Sequence, residues 1–127
     1  MSYEIVAEGS CVLGRGAWSY SMTYTNPELD VSFSSSNQGS SEGTTARQMK
    51  LMAILKALES VKAQEYPGTI VVKSDCEWCV KCLSREYDCV SDNRFKKDKV
   101  ARGYVQYIQE IWWKTSGLSV QFELIPV

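Results

Sequence analysis

From Ala17 to Tyr24 the chain alternates. Trp18, Tyr20, Met22 and Tyr24 fall on one side, and Ser19, Ser21 and Thr23 on the other. A period of two with bulky residues on one side predicts a half-buried strand. A strand-like run, Tyr3–Ala7, precedes it and ends at Glu8-Gly9-Ser10, with Gly14 and Gly16 punctuating the turn between the two. Asn26-Pro27-Glu28 is a second turn signal, and Val31 and Phe33 mark a third strand that closes a meander. Ser34 to Gly43 is polar and rich in Ser and Gly, which predicts a loop.

The period then changes. Leu51, Ile54, Leu55, Leu58 and Val61 recur at helical spacing, and Thr45 with Gln48 three positions on has the form of a capping box. Tyr66-Pro67-Gly68 stops that helix. Thr69–Lys73, with Ile70, Val71 and Val72, is short and apolar enough for an interior parallel strand. A second helix is predicted from about Asp75 or Cys76, and residues 84–98 form a polar loop. Val100, Tyr104, Ile108, Ile111 and Trp112 predict a third helix capped by Gly117, and Leu118 to Ile125 alternates as a last strand. The order β-β-β-α-β-α-α-β predicts one α/β domain over residues 1–127. Its sheet is five-stranded and mixed, an antiparallel meander plus parallel strands, with helices on its faces.

Composition narrows the chemistry. A formal net charge of −1 over 127 residues argues against wholesale electrostatic capture of nucleic acid, though not against a local basic patch. The chain has no histidine, which excludes Ser-His-Asp, Cys-His and histidine–zinc chemistry within it. The start lacks the pattern of a signal peptide, and no apolar run approaches the ~18 residues a membrane span needs. A cytoplasmic protein is the resulting expectation, with its five cysteines as free thiols and no membrane contact.

Three segments, in register, carry a resemblance. Glu8-Gly9-Ser10-Cys11 is followed by Gly14 and Gly16. Thr45-Ala46-Arg47-Gln48-Met49-Lys50-Leu51-Met52-Ala53 opens the first helix. Val71-Val72-Lys73-Ser74-Asp75-Cys76 ends the fourth strand. These resemble the ribonuclease H family, whose first strand ends in Asp-Gly-Ser. The family's first helix opens with a Thr-Asn-Asn-Arg-Met-Glu type of segment, and its fourth strand runs into Thr-Asp-Ser. The resemblance covers almost the whole chain. It implies the ribonuclease H-like fold and cleavage of the RNA strand of a hybrid by a two-metal mechanism built on carboxylates.

Position by position, the resemblance also implies that this centre is dismantled. The first-strand Asp is matched by Glu8, the helix Glu by Lys50, and the fourth-strand Asp by Asp75. The family's remaining acid lies on a C-terminal helix beyond the last strand. The sequence stops at Val127, so that helix, its acid and the histidine loop preceding it in many members are not among these residues. An ammonium about 4 Å from a divalent ion, at an effective dielectric of about 20, repels it by roughly 8 kcal/mol. Lys50 is therefore expected to fill the metal space and pair with Asp75 and Glu8; the alternative is that it points to solvent. No acid lies close by in the helix to rescue the alignment, since Glu42 precedes the cap and Glu59 is more than two turns on. The paired Asn residues that touch ribose in the family are matched by Ala46 and Arg47, so discrimination of RNA from DNA is not carried over.

Cys76, Cys79 and Cys82 repeat every three residues, with Cys89 seven further on. Thiols so spaced on a helix converge poorly on a metal. Core packing is the leading reading, ahead of a metal cluster or redox sensing at a Cys76 acidified by a helix start. Arg94, Lys96, Lys97, Lys99 and Arg102, with Phe95 among them, form a basic cluster diluted by Asp92 and Asp98. Contact with phosphates and a solvated loop both fit it. If Trp112 packs on the sheet, Trp113 points away, as a partner anchor or beneath the loop before the last strand.

The leading expectation is a catalytically inactive ribonuclease H-like module that acts by binding, with no cofactor. Its partner is a protein that handles nucleic acid, the side favoured slightly by the near-zero net charge and the lost ribose contacts, or structured or hybrid nucleic acid, as for an accessory or inhibitory protein of a virus or mobile element. Candidate contact residues are Arg47, Arg94, Lys96, Lys97, Lys99, Arg102 and Trp113. The alternative is a divergent nuclease using Mg2+ or Mn2+, with Glu8, Asp75 and an acid from elsewhere, such as Glu77 or a partner chain.

Overall fold

The structure, a computed structural model, describes residues 1–86 and 99–125, with side chains from 104 onward in the second stretch. Its strands are β1 (Ser2–Val12), β2 (Arg15–Asn26), β3 (Val31–Glu42), β4 (Thr69–Ser74) and β5 (Val120–Leu124). Its helices are α1 (Ala46–Glu59), α2 (Glu77–Leu83) and α3 (Lys99–Thr115). The five strands form one sheet in the order β3-β2-β1-β4-β5. β1, β2 and β3 pair antiparallel, while β4 lies parallel to β1 and β5 parallel to β4. This is the mixed sheet expected from the pattern.

The meander is longer than its apolar residues suggest. β1 does not stop at Glu8 but runs to Val12, and Ser34–Gly43 is not a loop. Almost all of that Ser/Gly stretch lies in β3, paired residue for residue with β2 from Asn26↔Val31 to Arg15↔Glu42. Strand pairing over this length overrides the weak strand propensity of Ser, Asn and Gly.

Alternation divides the sheet into two unlike faces. Tyr3, Ile5 and Ala7 of β1, Trp18, Tyr20, Met22 and Tyr24 of β2, and Ile70 and Val72 of β4 form the core. Against them pack Leu51, Ile54 and Leu58 of α1, Cys79 and Leu83 of α2, and Ile108 and Ile111 of α3. α1 rests on β1 and β2 and also touches α3, which is why it is buried nearly all round. On the opposite face Glu4, Glu8, Thr23, Thr25 and Ser34 are exposed, and among the described residues no helix covers them.

The helix ends follow the sequence closely. Thr45 caps α1, its hydroxyl accepting from the Gln48 amide at 3.2 Å. The reciprocal half of the capping box is absent, because the Gln48 side chain accepts from the Thr44 hydroxyl instead. Ser60 ends the helix, so Val61 packs on the core from just beyond it. At the end of the sheet away from Glu8, Tyr24 is fully buried. Its hydroxyl donates to the Pro67 carbonyl at 2.8 Å and accepts from the buried Asn26 amide at 3.1 Å.

Candidate functional site

Parallel pairing aligns Ala7 of β1 with Ser74 of β4. The residues that follow, Glu8 and Asp75, therefore reach the same end of the sheet. α1 delivers Lys50 to that end because it lies very close over β1. A Cβ built on Gly9 would overlap backbone atoms of Met49 and Lys50, so only glycine lets the helix approach this far.

Lys50 Nζ donates to Asp75 Oδ1 at 2.6 Å. The ammonium is the more enclosed partner, its side chain 20% exposed against 46% for Asp75. Lys50 is thus turned inward onto the carboxylate, and the solvent-pointing alternative does not hold. The expected pairing with Glu8 does not form either. Glu8 leaves β1 on the face opposite to Gly9 and makes no ion pair among the described residues.

These three side chains line an open groove of about 640 Å³. Its other wall comes from β2 and β3, with Trp18, Ser19, Gln38, Gly39 and Ser40. Trp18 lies flat against Gly39 on the neighbouring strand, where a Cβ would stand 2.5 Å from its ring. Reading Ser34–Gly43 as a loop hid the β3 part of this wall, Gln38, Gly39 and Ser40; the usable signal was a glycine directly across from a tryptophan. The groove does not fit a divalent-metal centre. Two carboxylates share it with an ammonium, and among the described residues no three His, Cys, Asp or Glu side chains gather to hold an ion.

Beside Asp75, Cys76 caps α2, its sulfur accepting from the Cys79 amide at 3.3 Å. The hydrogen bond from the Cys79 thiol, helped by that amide and by the Arg47 and Lys50 charges, outweighs burial and lowers the Cys76 thiol to about 6. Cys79 is pushed up, because its proton is held by Cys76 and it is buried. Cys11, Cys76 and Cys79 are free thiols. Cys82 is disulfide-bonded, so the expectation of five free thiols fails there. Cys79 and Cys82 are both buried core residues, as packing predicts. Cys89, the fourth position of the cysteine run, lies outside the described residues.

The remaining candidates are dispersed. Arg47 is exposed and stacks its guanidinium 4.4 Å over Trp78, with Tyr104 close behind at 5.6 Å. Trp112 packs on the core and donates to the Leu83 carbonyl, while Trp113 is 82% exposed and lies beneath nothing among the described residues. Neither Arg47 nor Trp113 lines the groove. Lys99 and Arg102 lie on the backbone of α3, and Arg94, Phe95, Lys96 and Lys97 fall outside the described residues. No helix among the described residues is long and apolar enough to cross a membrane.

The fold is shared with solved ribonucleases H. LC9-RNase H1, a type 1 enzyme with the type 2 active-site motif, superposes with a TM-score of 0.72 at 19% identity, covering 98% of this chain. This chain spans 62% of that protein's length. RNase H1 of the halophilic archaeon Halobacterium salinarum gives 0.67 at 16% identity, over 99% of this chain and 86% of its own. LC11-RNase H1, solved in complex with an RNA/DNA hybrid, gives 0.67 at 16% identity, over 98% and 85%. No curated protein sequence matches. The family model for RNase H matches residues 1–126, and the chain therefore belongs to the ribonuclease H family.

Proposed function

We propose that this chain is a non-catalytic ribonuclease H module that binds without cleaving. The observation that carries this reading is the Lys50 ammonium seated 2.6 Å from Asp75, at the positions where the family's resemblance sets two metal-holding acids. An internal cation there competes directly with a divalent ion for the same carboxylate, and by the Coulomb estimate above it repels such an ion strongly.

The target favoured by the groove is a nucleic acid of hybrid shape. The open wall of Ser19, Gln38 and Ser40 stands beside the Lys50–Asp75 pair, and one structural neighbour was solved holding an RNA/DNA hybrid. A second reading, a protein that itself handles nucleic acid, is favoured by Trp113, an exposed aromatic away from the groove on a chain of net charge −1.

The test is a paired assay on RNA–DNA hybrid with Mg2+ and Mn2+. Binding that weakens steeply with salt, without turnover, supports the module acting on nucleic acid. Metal-dependent cleavage lost in Asp75→Asn overturns the non-catalytic reading. Absence of binding even at low salt moves the target to protein.

A further inference from the structure

Cys76 and Cys79 stand three residues apart across the first turn of α2, both as free thiols, and the Cys79 amide donates to the Cys76 sulfur at 3.3 Å. Helix geometry sets the Cα atoms of such a pair about 5 Å apart. That lies within the roughly 4.4–6.8 Å range that a disulfide spans without backbone movement. The two thiols differ in access. Cys76 is half-exposed at the helix cap, whereas Cys79 is fully buried behind it. A reagent therefore meets Cys76 before Cys79. Disulfide chemistry is already present on the same short helix, where Cys82 is bonded one turn on.

We propose that Cys76 and Cys79 form a thiol–disulfide exchange site for a small molecular disulfide of the glutathione type. The Cys76 sulfur gives up its proton to water and attacks one sulfur of the reagent. The reagent's S–S bond breaks, one glutathione thiolate leaves, and Cys76 carries the other half as a mixed disulfide. Cys79 then loses its proton, attacks the Cys76 sulfur and expels the second thiolate. Two protein thiols are oxidised to one disulfide, and one reagent disulfide is reduced to two thiols. Closure replaces the hydrogen bond from the Cys79 amide to the Cys76 sulfur in the residue next to Asp75, so it acts on the loop that carries the ion pair with Lys50. This inference stands whether or not the groove binds nucleic acid.

Tryptic digestion isolates the pair. Cleavage after Lys73 and after Lys81 gives the peptide Ser74–Lys81, which contains Cys76 and Cys79 and no other cysteine. The full chain is incubated with oxidised glutathione, blocked with iodoacetamide, digested and weighed. The expected product is that peptide lighter by two hydrogens, without glutathione or alkyl groups. Dithiothreitol should restore the doubly alkylated form. Cys79→Ser should arrest the reaction with glutathione on Cys76. Cys76→Ser, which keeps a hydroxyl able to cap the helix, should abolish closure. A wild-type peptide that stays doubly alkylated, or that retains glutathione on Cys76 without closing, overturns the proposal.

Discussion

Adjacent residues in this molecule have met opposite fates. Gly9 and Met49 lie where α1 presses on β1, and both fit that contact tightly. Their sequence neighbours, Glu8 and Lys50, lie on the side of each element that reaches the groove. There a carboxylate and an ammonium stand where the resemblance sets two metal-holding acids. One step along a strand, or along a helix, is enough to pass from a position governed by packing to one governed by charge. Packing between neighbouring backbones tolerates almost no change, because a missing or added methyl is felt at once. A half-exposed charged pair tolerates much more. The scaffold therefore has the family's fold, and its groove holds an ammonium–carboxylate pair.

The contrast is sharpest at Gly9→Val. The added branches meet main-chain atoms of Met49 and Lys50, which no side-chain rotation relieves. A loss of about 3 kcal/mol or more in urea unfolding is expected, and little soluble protein. Tyr24→Phe probes the packed half differently, by stripping the hydroxyl from the buried Asn26 amide and the Pro67 carbonyl. Its expected cost is about 2 kcal/mol by the same measurement.

The groove should respond in the reverse manner, with small effects on stability and large ones on chemistry. Lys50→Met removes a partly exposed ion pair and should shift unfolding by less than about 1 kcal/mol. Lys50→Glu should fold comparably and acquire a Mn2+ affinity absent from the parent, read by titration calorimetry with Asp75→Asn as the control. Equal Mn2+ affinity in parent and variant would break the comparison. The smallest effect is expected at Cys76. The thiolate is the reacting form, and the folded protein forms it from about pH 6 upward. Iodoacetamide labelling of the Ser74–Lys81 peptide should thus already be near its plateau at neutral pH. It should decline as pH falls through about 6, rather than through the ~8.5 of an ordinary thiol.

Much of the fold was legible because apolar residues repeat with the right period. Trp18 to Tyr24 gave β2 its buried face, and Leu51, Ile54, Leu55 and Leu58 gave α1 its own. β3 was illegible over Ser34–Gly43 for a physical reason. Both of its faces are polar there, so no period survives, and only the backbone of β2 across from it reveals a strand. The same blindness hid Gln38, Gly39 and Ser40 as a groove wall. At the site, the Lys50–Asp75 pair followed from alignment of the motifs, but the independence of Glu8 did not. That depends on which face of β1 the side chain leaves, and Glu8 is one residue out of phase with the helix contact. The Cys82 disulfide escaped because spacing names no partner.

A tethered ammonium differs from a bound ion in one practical respect. Lys50 cannot be stripped by a chelator, diluted away or swapped for another metal. A ligand entering the groove would meet the Lys50 charge whether or not divalent cations are supplied.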